Sequence, residues 1–171
     1  AKLLTESSWE RIRDEFFSIL ECQQSANYLK WLYKLSLLYE IIPEIRGWDD
    51  VSDYNLLYHV FKTLEEWERL ESNLNVLVPE FAGTIDNSFK TLTGNVSKKG
   101  LFKLALFIHD AGKPSTMKQE GGKISFIGHD VEGEVIGKRI GRRLKLSRNA
   151  TAFIARLIRN HHRVFNLASL E

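Results

Sequence analysis

A histidine and an aspartate stand side by side at positions 109 and 110, at the end of the apolar stretch 101–108. Burying a carboxylate without a charge partner costs several kcal/mol, so His109-Asp110 predicts a cation or a charged group nearby. Imidazole nitrogen and carboxylate oxygen are ligands that suit Zn, Mn, Fe or Mg. The pair therefore predicts a site for a divalent metal of one of these four kinds.

The chain contains five histidines, and all of them can be assigned to this one site. Besides His109, the candidate ligands are His59, His129, His161 and His162. Because His59 lies fifty residues before His109, separate helices must supply the ligands, as helix bundles commonly do. Asp110 could bridge two metal ions, and Lys113 could reach a substrate phosphate. Catalytic roles are thus expected for Asp110 and Lys113.

Each of these residues also has a structural explanation. His59 could be a core histidine that is hydrogen-bonded to the backbone, and His129 could simply open a helix. His161 and His162 are expected at a helix C-terminus, where a partly charged histidine is favourable in any case. The central His-Asp pair could end its own helix with the carboxylate bonded to an arginine. The sequence leaves these alternatives open.

Basic residues are concentrated near the end of the chain, although its net charge is only +2. Nine basic residues and no acidic one lie between positions 138 and 163. Such a cluster creates a positive field that attracts phosphates, and nucleic acid in particular. The residues expected to contact phosphates are Lys138, Arg139, Arg142, Arg143, Lys145 and Arg148. The alternative is a solvated helix face whose acidic neighbours come from elsewhere in the fold.

The composition predicts an all-α protein. Among the 171 residues there are only three prolines and 11 glycines, which favours long helices over a turn-rich β architecture. The single Cys22 excludes an internal disulfide framework. No stretch approaches the roughly 18 apolar residues that a membrane span needs. No signal sequence opens the chain, so a cytoplasmic location without membrane contact is expected.

Helical periodicity and capping residues predict the elements that must position the histidines. The expected helices cover about 7–21, 25–39, 54–71, 99–110 and 128–144, and a last helix, capped by Ser147 or Asn149, runs to about 160. The first should begin with the capping box Ser7-x-x-Glu10, and Pro43 should break the chain after the second. Residues 74–96 are expected to form one short helix between loops, and residues 113–127 a loop or a small hairpin.

The order of the candidate ligands resembles that of the HD-domain metal-dependent phosphohydrolases. In that superfamily a helix-borne histidine is followed by His-Asp and then by further histidines. The string Leu106-Phe-Ile-His-Asp-Ala-Gly-Lys-Pro114 is similar to the apolar run into His-Asp-x-Gly-Lys that these proteins carry. The resemblance implies that the metal ligands are His59, His109, Asp110, His129, His161 and His162.

A narrower resemblance is to the HD region of bacterial tRNA nucleotidyltransferases and poly(A) polymerases. It is carried by Phe126-Ile-Gly-His-Asp130, by Leu144-Lys-Leu-Ser147 and by Asn160-His161. Glu10-Arg11-Ile12 resembles the neck motif of that family, and Ile42-Pro43-Glu44-Ile45 is similar to its Leu-Pro-Glu step. Together these motifs cover about residues 6–72 and 100–167.

The resemblance implies a bundle of the HD-domain type preceded by two or three neck- or body-like helices. Residues 1–52 would form the neck- or body-like segment, and residues 53–171 an HD domain truncated at its C-terminus. RNA, and tRNA in the first place, would be the partner through phosphate contacts. The cofactor would be a divalent metal.

Three features depart from the family pattern. No Gly-Ser pair is followed by Asp-x-Asp, so the nucleotidyltransferase head is absent and nucleotide addition by the family mechanism is excluded for this chain. The expected His-x-x-Asp-Val step reads Asp53-Tyr-Asn-Leu56, and the late Asp of the HD pattern has no counterpart. The chain is therefore expected to be the C-terminal, HD-containing fragment of a longer RNA-processing enzyme that carries the missing head.

Three functions follow from this pattern. The HD region could be an accessory part that helps to hold RNA. The site could be a metal-dependent phosphohydrolase of phosphomonoesters or 2′,3′-cyclic phosphates, in which metal-activated water attacks phosphorus and Lys113 stabilises the developing charge. The domain could instead be a degenerate HD scaffold that only binds RNA and holds no metal.

Overall fold

The computed structural model describes residues 7–51 and 55–163. The helices of this part are α1 (Trp9–Glu21), α2 (Ser25–Lys34), α3 (Leu38–Ile41), α4 (Leu56–Glu71), α5 (Leu74–Leu77), α6 (Pro79–Lys90), α7 (Lys98–Ile108), α8 (Lys113–Thr116), α9 (His129–Arg143) and α10 (Arg148–Asn160). Two short antiparallel hairpins pair β1 (Leu92–Thr93) with β2 (Val96–Ser97) and β3 (Lys118–Glu120) with β4 (Lys123–Ser125). The predicted all-α class is confirmed.

Some predicted features fall outside the described residues. These are the boundary between residues 52 and 53, the departure at Asp53, the start of the third predicted helix at 54, and the chain end beyond Arg163. None of the described helices is long and apolar enough to cross a membrane.

The N-cap of helix α1 lies one residue later than predicted. Its N-cap is Ser8, whose hydroxyl accepts a hydrogen bond from the backbone N–H of Arg11 at 3.3 Å. Ser8 has the extended backbone that an N-cap needs, with φ −67° and ψ 147°. The predicted capping box of Ser7 and Glu10 is therefore wrong. Two serines are adjacent here, and it is the second, Ser8, that caps the helix.

Helix α2 ends at Lys34, five residues before the predicted end. Ser36 has a left-handed backbone with φ 60°. The N–H of Leu37 bonds to the carbonyl of Leu32 at 2.9 Å, and that of Ser36 to the carbonyl of Tyr33 at 2.9 Å. This pair of bonds is a Schellman motif, in which Ser36 takes the position that glycine usually occupies. The chain then restarts as the separate turn α3.

Residues 74–97 are more ordered than predicted. They form α5, α6 and the β1–β2 hairpin rather than one short helix between loops. Pro79 opens α6 at its first position, where the missing N–H and the fixed φ of proline are tolerated. The small hairpin expected within residues 113–127 is present as β3–β4.

One continuous hydrophobic core joins the first helices to the rest of the protein. Helix α7 lies at its centre and contacts α1, α4 and α10. Trp48, which is 1% exposed, packs with its ring centroid 6.1 Å from that of Phe107. Phe61 of α4 contacts the same ring at 5.7 Å. The helix that ends at the His-Asp pair is therefore held from several sides.

A buried ion pair lies inside this core. The side chain of Lys103 on α7 is 0% exposed, and its ammonium donates to Glu68 Oε1 at 3.0 Å. It also donates to the carbonyl of Cys22 at 2.7 Å and to Ser25 Oγ at 3.3 Å. Glu68 Oε1 accepts two further bonds from the N–H and hydroxyl of Ser25. The network joins α4 and α7 to the start of α2.

A second ion pair fixes the end of α9. The carboxylate of Glu44, 8% exposed, accepts two hydrogen bonds from Arg143, at 2.7 and 2.6 Å, and one from Arg139 at 3.0 Å. The two-pronged geometry is the stronger kind of arginine–carboxylate contact. At the same end, Arg13 of α1 donates to the carbonyl of Lys145 at 3.1 Å. The C-terminal end of α9 is therefore tied to the first forty-five residues.

A row of glycines lets α9 and α10 lie close together. A Cβ added at Gly133 or Gly137 would come within 2.9 or 2.6 Å of Ile158, and one at Gly141 within 2.8 Å of Thr151. These glycines are four residues apart and therefore share one face of α9. The close contact brings the end of α10, with its two histidines, to the start of α9.

Candidate metal centre

The structure brings all five histidines and Asp110 to one place. The ligand atoms form two groups, and within each group they lie within 4.8 Å of one another. Both groups include Asp110. The first group is His59 with His109 and Asp110, and the second is Asp110 with His129, His161 and His162. The predicted ligands come from α4, from the end of α7, from the first residue of α9 and from the residues that follow α10.

Asp110 presents a different oxygen to each group. Its Oδ2 lies 3.3 Å from Nε2 of His59 and 3.2 Å from Nε2 of His109. Its Oδ1 lies 3.4 Å from Nε2 of His129 and 3.5 Å from Nε2 of His161. Asp110 is 1% exposed, and within the described part of the chain its Oδ1 accepts no hydrogen bond.

Three of the histidines are oriented by backbone carbonyls. Nδ1 of His109 donates to the carbonyl of Leu106 at 2.7 Å. Nδ1 of His129 makes the same bond to the residue three positions earlier at 2.7 Å, and that of His161 at 2.6 Å. A carbonyl can only accept, so Nδ1 carries the proton and a neutral ring has its lone pair on Nε2. All three lone pairs point at Asp110.

The inward nitrogens converge, and His129 and His161, whose Nδ1 atoms carry the proton, turn two Nε2 lone pairs toward each other. Nε2 of His59 and Nε2 of His109 are 3.2 Å apart, and Nε2 of His129 and Nε2 of His161 are 3.3 Å apart. His162 adds a third nitrogen at 2.8 Å from that of His129. Acceptors that converge in this way, with a buried carboxylate oxygen lacking a donor, fit a divalent ion.

Asp110 is ionised. Burial alone would raise the pKa of its carboxyl, but the hydrogen bonds that the rings of His109, His161 and His59 donate when they carry a proton on Nε2 outweigh burial and hold the pKa far below the usual range. The ammonium of Lys113 lies 2.7 Å from Oδ2 and adds to this effect. The site therefore offers a permanent negative charge.

Two histidines of the second group, His129 and His162, have a lowered pKa. Burial lowers the pKa of His129 below its ordinary value. Burial also lowers the pKa of His162, and the neighbouring rings of His161 and His129 lower it further. Metal ligation requires the neutral ring. These rings are thus in the state that a metal needs at neutral pH.

Lys113 lies at the mouth of the site. Its Nζ is 5.4 Å from the centroid of the Phe126 ring, which stacks a cation against an aromatic face. Its side chain is 15% exposed, so the ammonium lies between the buried Asp110 and solvent. An ammonium has three donor hydrogens and can bond to Asp110 and to a ligand oxygen together.

Gly112 sets the distance between the His-Asp turn and α9. An added Cβ would collide with the carbonyl oxygen of His129 and come within 2.7 Å of the amide nitrogen of Gly133. Both clashes are with backbone, which cannot rotate away. The contact keeps Asp110 against the first turn of α9.

We expect Gly112→Ala to destabilise the protein by about 1–3 kcal/mol, the usual cost of overpacking. It should also weaken metal binding, since His129 would be pushed away from Asp110. Urea unfolding and metal titration measure the two effects. Gly83→Ala is the matched control, because a Cβ there meets nothing within 4 Å. Equal stability of the two variants would contradict the assigned role of Gly112.

The basic residues at 138–148 separate into those with an acidic partner and those without one among the described residues. Arg139 and Arg143 bind Glu44. For these two residues the alternative to phosphate binding applies, namely an acidic neighbour from elsewhere in the fold. Lys138 pairs with Glu134 at the exposed surface at 2.6 Å. Within the described residues, no acidic side chain forms an ion pair with the exposed Arg142, Lys145 and Arg148.

Two features of the site could not be predicted from the sequence. Arg159 of α10 forms an ion pair with Asp130 and approaches Glu134 at 3.7 Å, so α10 is held to the first turns of α9. A groove of about 380 Å³ also lies beside His109 and His161. Its other lining residues are Phe102, Ala105, Leu106, Arg156, Leu157 and Asn160. Because α7 and α10 are far apart in sequence, local patterns could not predict this groove.

Comparison with known proteins gives two family matches. Residues 1–49 match a family described as the probable RNA- and SrmB-binding site of polymerase A, and residues 56–170 match the HD domain. An A-adding tRNA nucleotidyltransferase of Deinococcus radiodurans is 30% identical over 156 residues. The match covers 90% of this chain and 32% of that protein. The chain thus spans about a third of the length of this curated relative.

Proposed function

The chain belongs to the HD domain family, as the HD region of a tRNA nucleotidyltransferase/poly(A) polymerase family protein, and we propose that its His-Asp cluster is a divalent-metal phosphohydrolase centre. The substrates would be phosphomonoesters or 2′,3′-cyclic phosphates. The single observation that carries the proposal is the arrangement around Asp110, where each carboxylate oxygen faces its own set of histidine nitrogens.

The residues present fit two ions that share Asp110. His59 and His109 would hold one ion at Oδ2, and His129, His161 and His162 the other at Oδ1. When bound, such ions lower the pKa of water and polarise phosphoryl oxygens. Imidazole and carboxylate ligands are compatible with Zn, Mn, Fe or Mg, and the donor set does not distinguish them.

Each protein group has a separate task in this proposal. Asp110 supplies the shared negative charge, and the carbonyl-bonded rings of His109, His129 and His161 keep their nitrogens turned inward. Lys113 is placed to donate to a phosphate oxygen while it stays in contact with Asp110. Hydrolysis breaks a P–O bond with water, and the leaving alcohol takes up a proton.

We also propose that RNA, and tRNA in particular, is the macromolecular partner. The match of residues 1–49 and the likeness to an A-adding tRNA nucleotidyltransferase support this partner. In a longer cytoplasmic protein of that kind, a nucleotidyltransferase head would act on the RNA, and the HD region would lie beside it.

Metal removal tests the phosphohydrolase proposal directly. Protein loaded in turn with Mn, Mg, Zn or Fe should hold about two ions per chain. With at least one of these metals it should release phosphate from a phosphomonoester or open a 2′,3′-cyclic phosphate. Chelation should abolish turnover, because without a metal ion the site has no group that activates water or polarises the phosphate. Adding the metal back should restore it.

Two results would contradict this proposal, each in a different way. Stoichiometric metal without turnover of either substrate class would exclude phosphohydrolase activity but retain the metal site. Protein that takes up none of the four metals would favour the scaffold that binds RNA alone.

A further inference from the structure

A groove between α9 and α10 lies apart from the histidine cluster. Its volume is about 420 Å³, within the roughly 300–1,000 Å³ usual for ligand sites. The lining residues are Lys138, Arg142, Leu146, Arg148, Thr151 and Ala152. Three of these six side chains are cationic, and none is acidic.

The groove has cations on its rim and an apolar floor. Arg142 and Arg148 are exposed and form no ion pair with the described acidic residues, so their charge is available to a ligand. Leu146, which is 9% exposed, supplies the apolar floor, and the exposed Ala152 adds apolar surface at the side. Guanidinium groups bind phosphate in a two-pronged geometry, and apolar surface accepts the face of a base or ribose.

This combination favours single-stranded RNA over a duplex. Bases in a duplex are stacked on one another, so an apolar floor has no base face to contact. A single strand offers both its phosphates and its unstacked bases. An acidic protein segment would match the cations but would leave the apolar floor uncovered.

The position of the groove also favours RNA. Lys138 and Arg142 lie on α9 directly beside Arg139 and Arg143, which bind Glu44. At the end of α9, the carbonyl of Lys145 accepts a hydrogen bond from Arg13 at 3.1 Å. Glu44 and Arg13 both belong to residues 1–49, the segment that matches an RNA-binding family. Residues next to the groove are therefore bonded to that segment.

We infer that the α9–α10 groove is a binding site for single-stranded RNA, with Arg142 and Arg148 on the phosphates and Leu146 beneath a base or ribose. The inference rests on the proposed RNA partner and is independent of the metal chemistry. It separates Arg139 and Arg143, which hold the fold together, from Arg142 and Arg148, which face the ligand.

Fluorescence anisotropy with a labelled single-stranded RNA of about 12 nucleotides tests this site. Arg142→Glu and Arg148→Glu should each weaken binding on the order of tenfold at low salt. Each should also reduce the slope of log affinity against log salt by about 0.7, the value for one lost phosphate contact to a single strand. The matched control is Lys118→Glu, an equally exposed cation on the β3 strand with the same change of charge.

The control should bind RNA within about twofold of the unmodified protein, since Lys118 does not line the groove and exposed charges beyond a Debye length are screened. Circular dichroism melts check that all variants fold. The inference is overturned if the two groove variants bind as tightly as Lys118→Glu, if a duplex of equal length binds as well as the single strand, or if polyglutamate competes as well as RNA.

Metal content and phosphate release are measured on the same variants. We expect both to match the unmodified protein, because neither arginine belongs to the histidine cluster. Loss of RNA affinity with these values unchanged supports the groove alone, and failure of the phosphohydrolase assay leaves the RNA result standing.

Discussion

Replacing Asp110 with asparagine should remove the metal from both groups of histidines. We expect metal affinity to fall by at least about 100-fold, beyond the roughly 10–100-fold that changes to groups around a ligand cause. Phosphate release should fall to the level of the chelated protein. The reason is that both groups of ligand atoms share this one carboxylate, and an amide of the same shape carries no charge.

Metal content by elemental analysis, together with titration calorimetry, measures the effect. Asp86→Asn is the matched control, because Asp86 is an exposed aspartate on α6 whose partner is Lys90. It should keep full metal content. If Asp110→Asn folds and still binds metal with unchanged affinity, Asp110 is not a shared ligand and the proposed centre is wrong.

Lys103→Met should lower the free energy of unfolding by about 3–5 kcal/mol, the cost of leaving one member of a buried ion pair alone. The side chain of Lys103 is 0% exposed and that of Glu68 only 13% exposed. Methionine fills similar space but leaves the Glu68 charge without its ammonium and the carbonyl of Cys22 without its donor.

Urea unfolding of a double-mutant cycle separates the pair from its surroundings. Glu68→Gln keeps an acceptor for Ser25 but removes the charge, so the double variant should regain more than half of the loss. Lys99→Met is the control, because its ion pair with Glu71 is partly exposed and is worth about 0–1 kcal/mol. A loss no larger for Lys103→Met than for Lys99→Met would show that the buried pair contributes little.

The main helices could be predicted because their signals are local. The apolar spacing in α1, α4, α7, α9 and α10 repeats within a few residues, so each helix is visible in its own segment. Ser36 shows where this fails. Its left-handed turn ends α2 with the hydrogen bonds of a glycine motif, but serine carries no such signal in the sequence.

Non-local contacts could not be predicted. Glu44 lies 99 residues from Arg143, and no local pattern connects them, so the basic segment looked uniform in the sequence. The gathering of the histidines was expected from their chemistry alone. Their division between the two oxygens of Asp110 depends on side-chain torsions and on the close approach of α9 to α10, which only the folded structure gives.

Helix α9 connects two separate parts of the protein. His129 is its first residue and Arg143 its last, about 21 Å apart at 1.5 Å per residue. Glu44 binds Arg143 at one end of this helix, and the histidine cluster lies at the other end. The segment that matches an RNA-binding family and the histidine cluster are therefore attached to opposite ends of one helix.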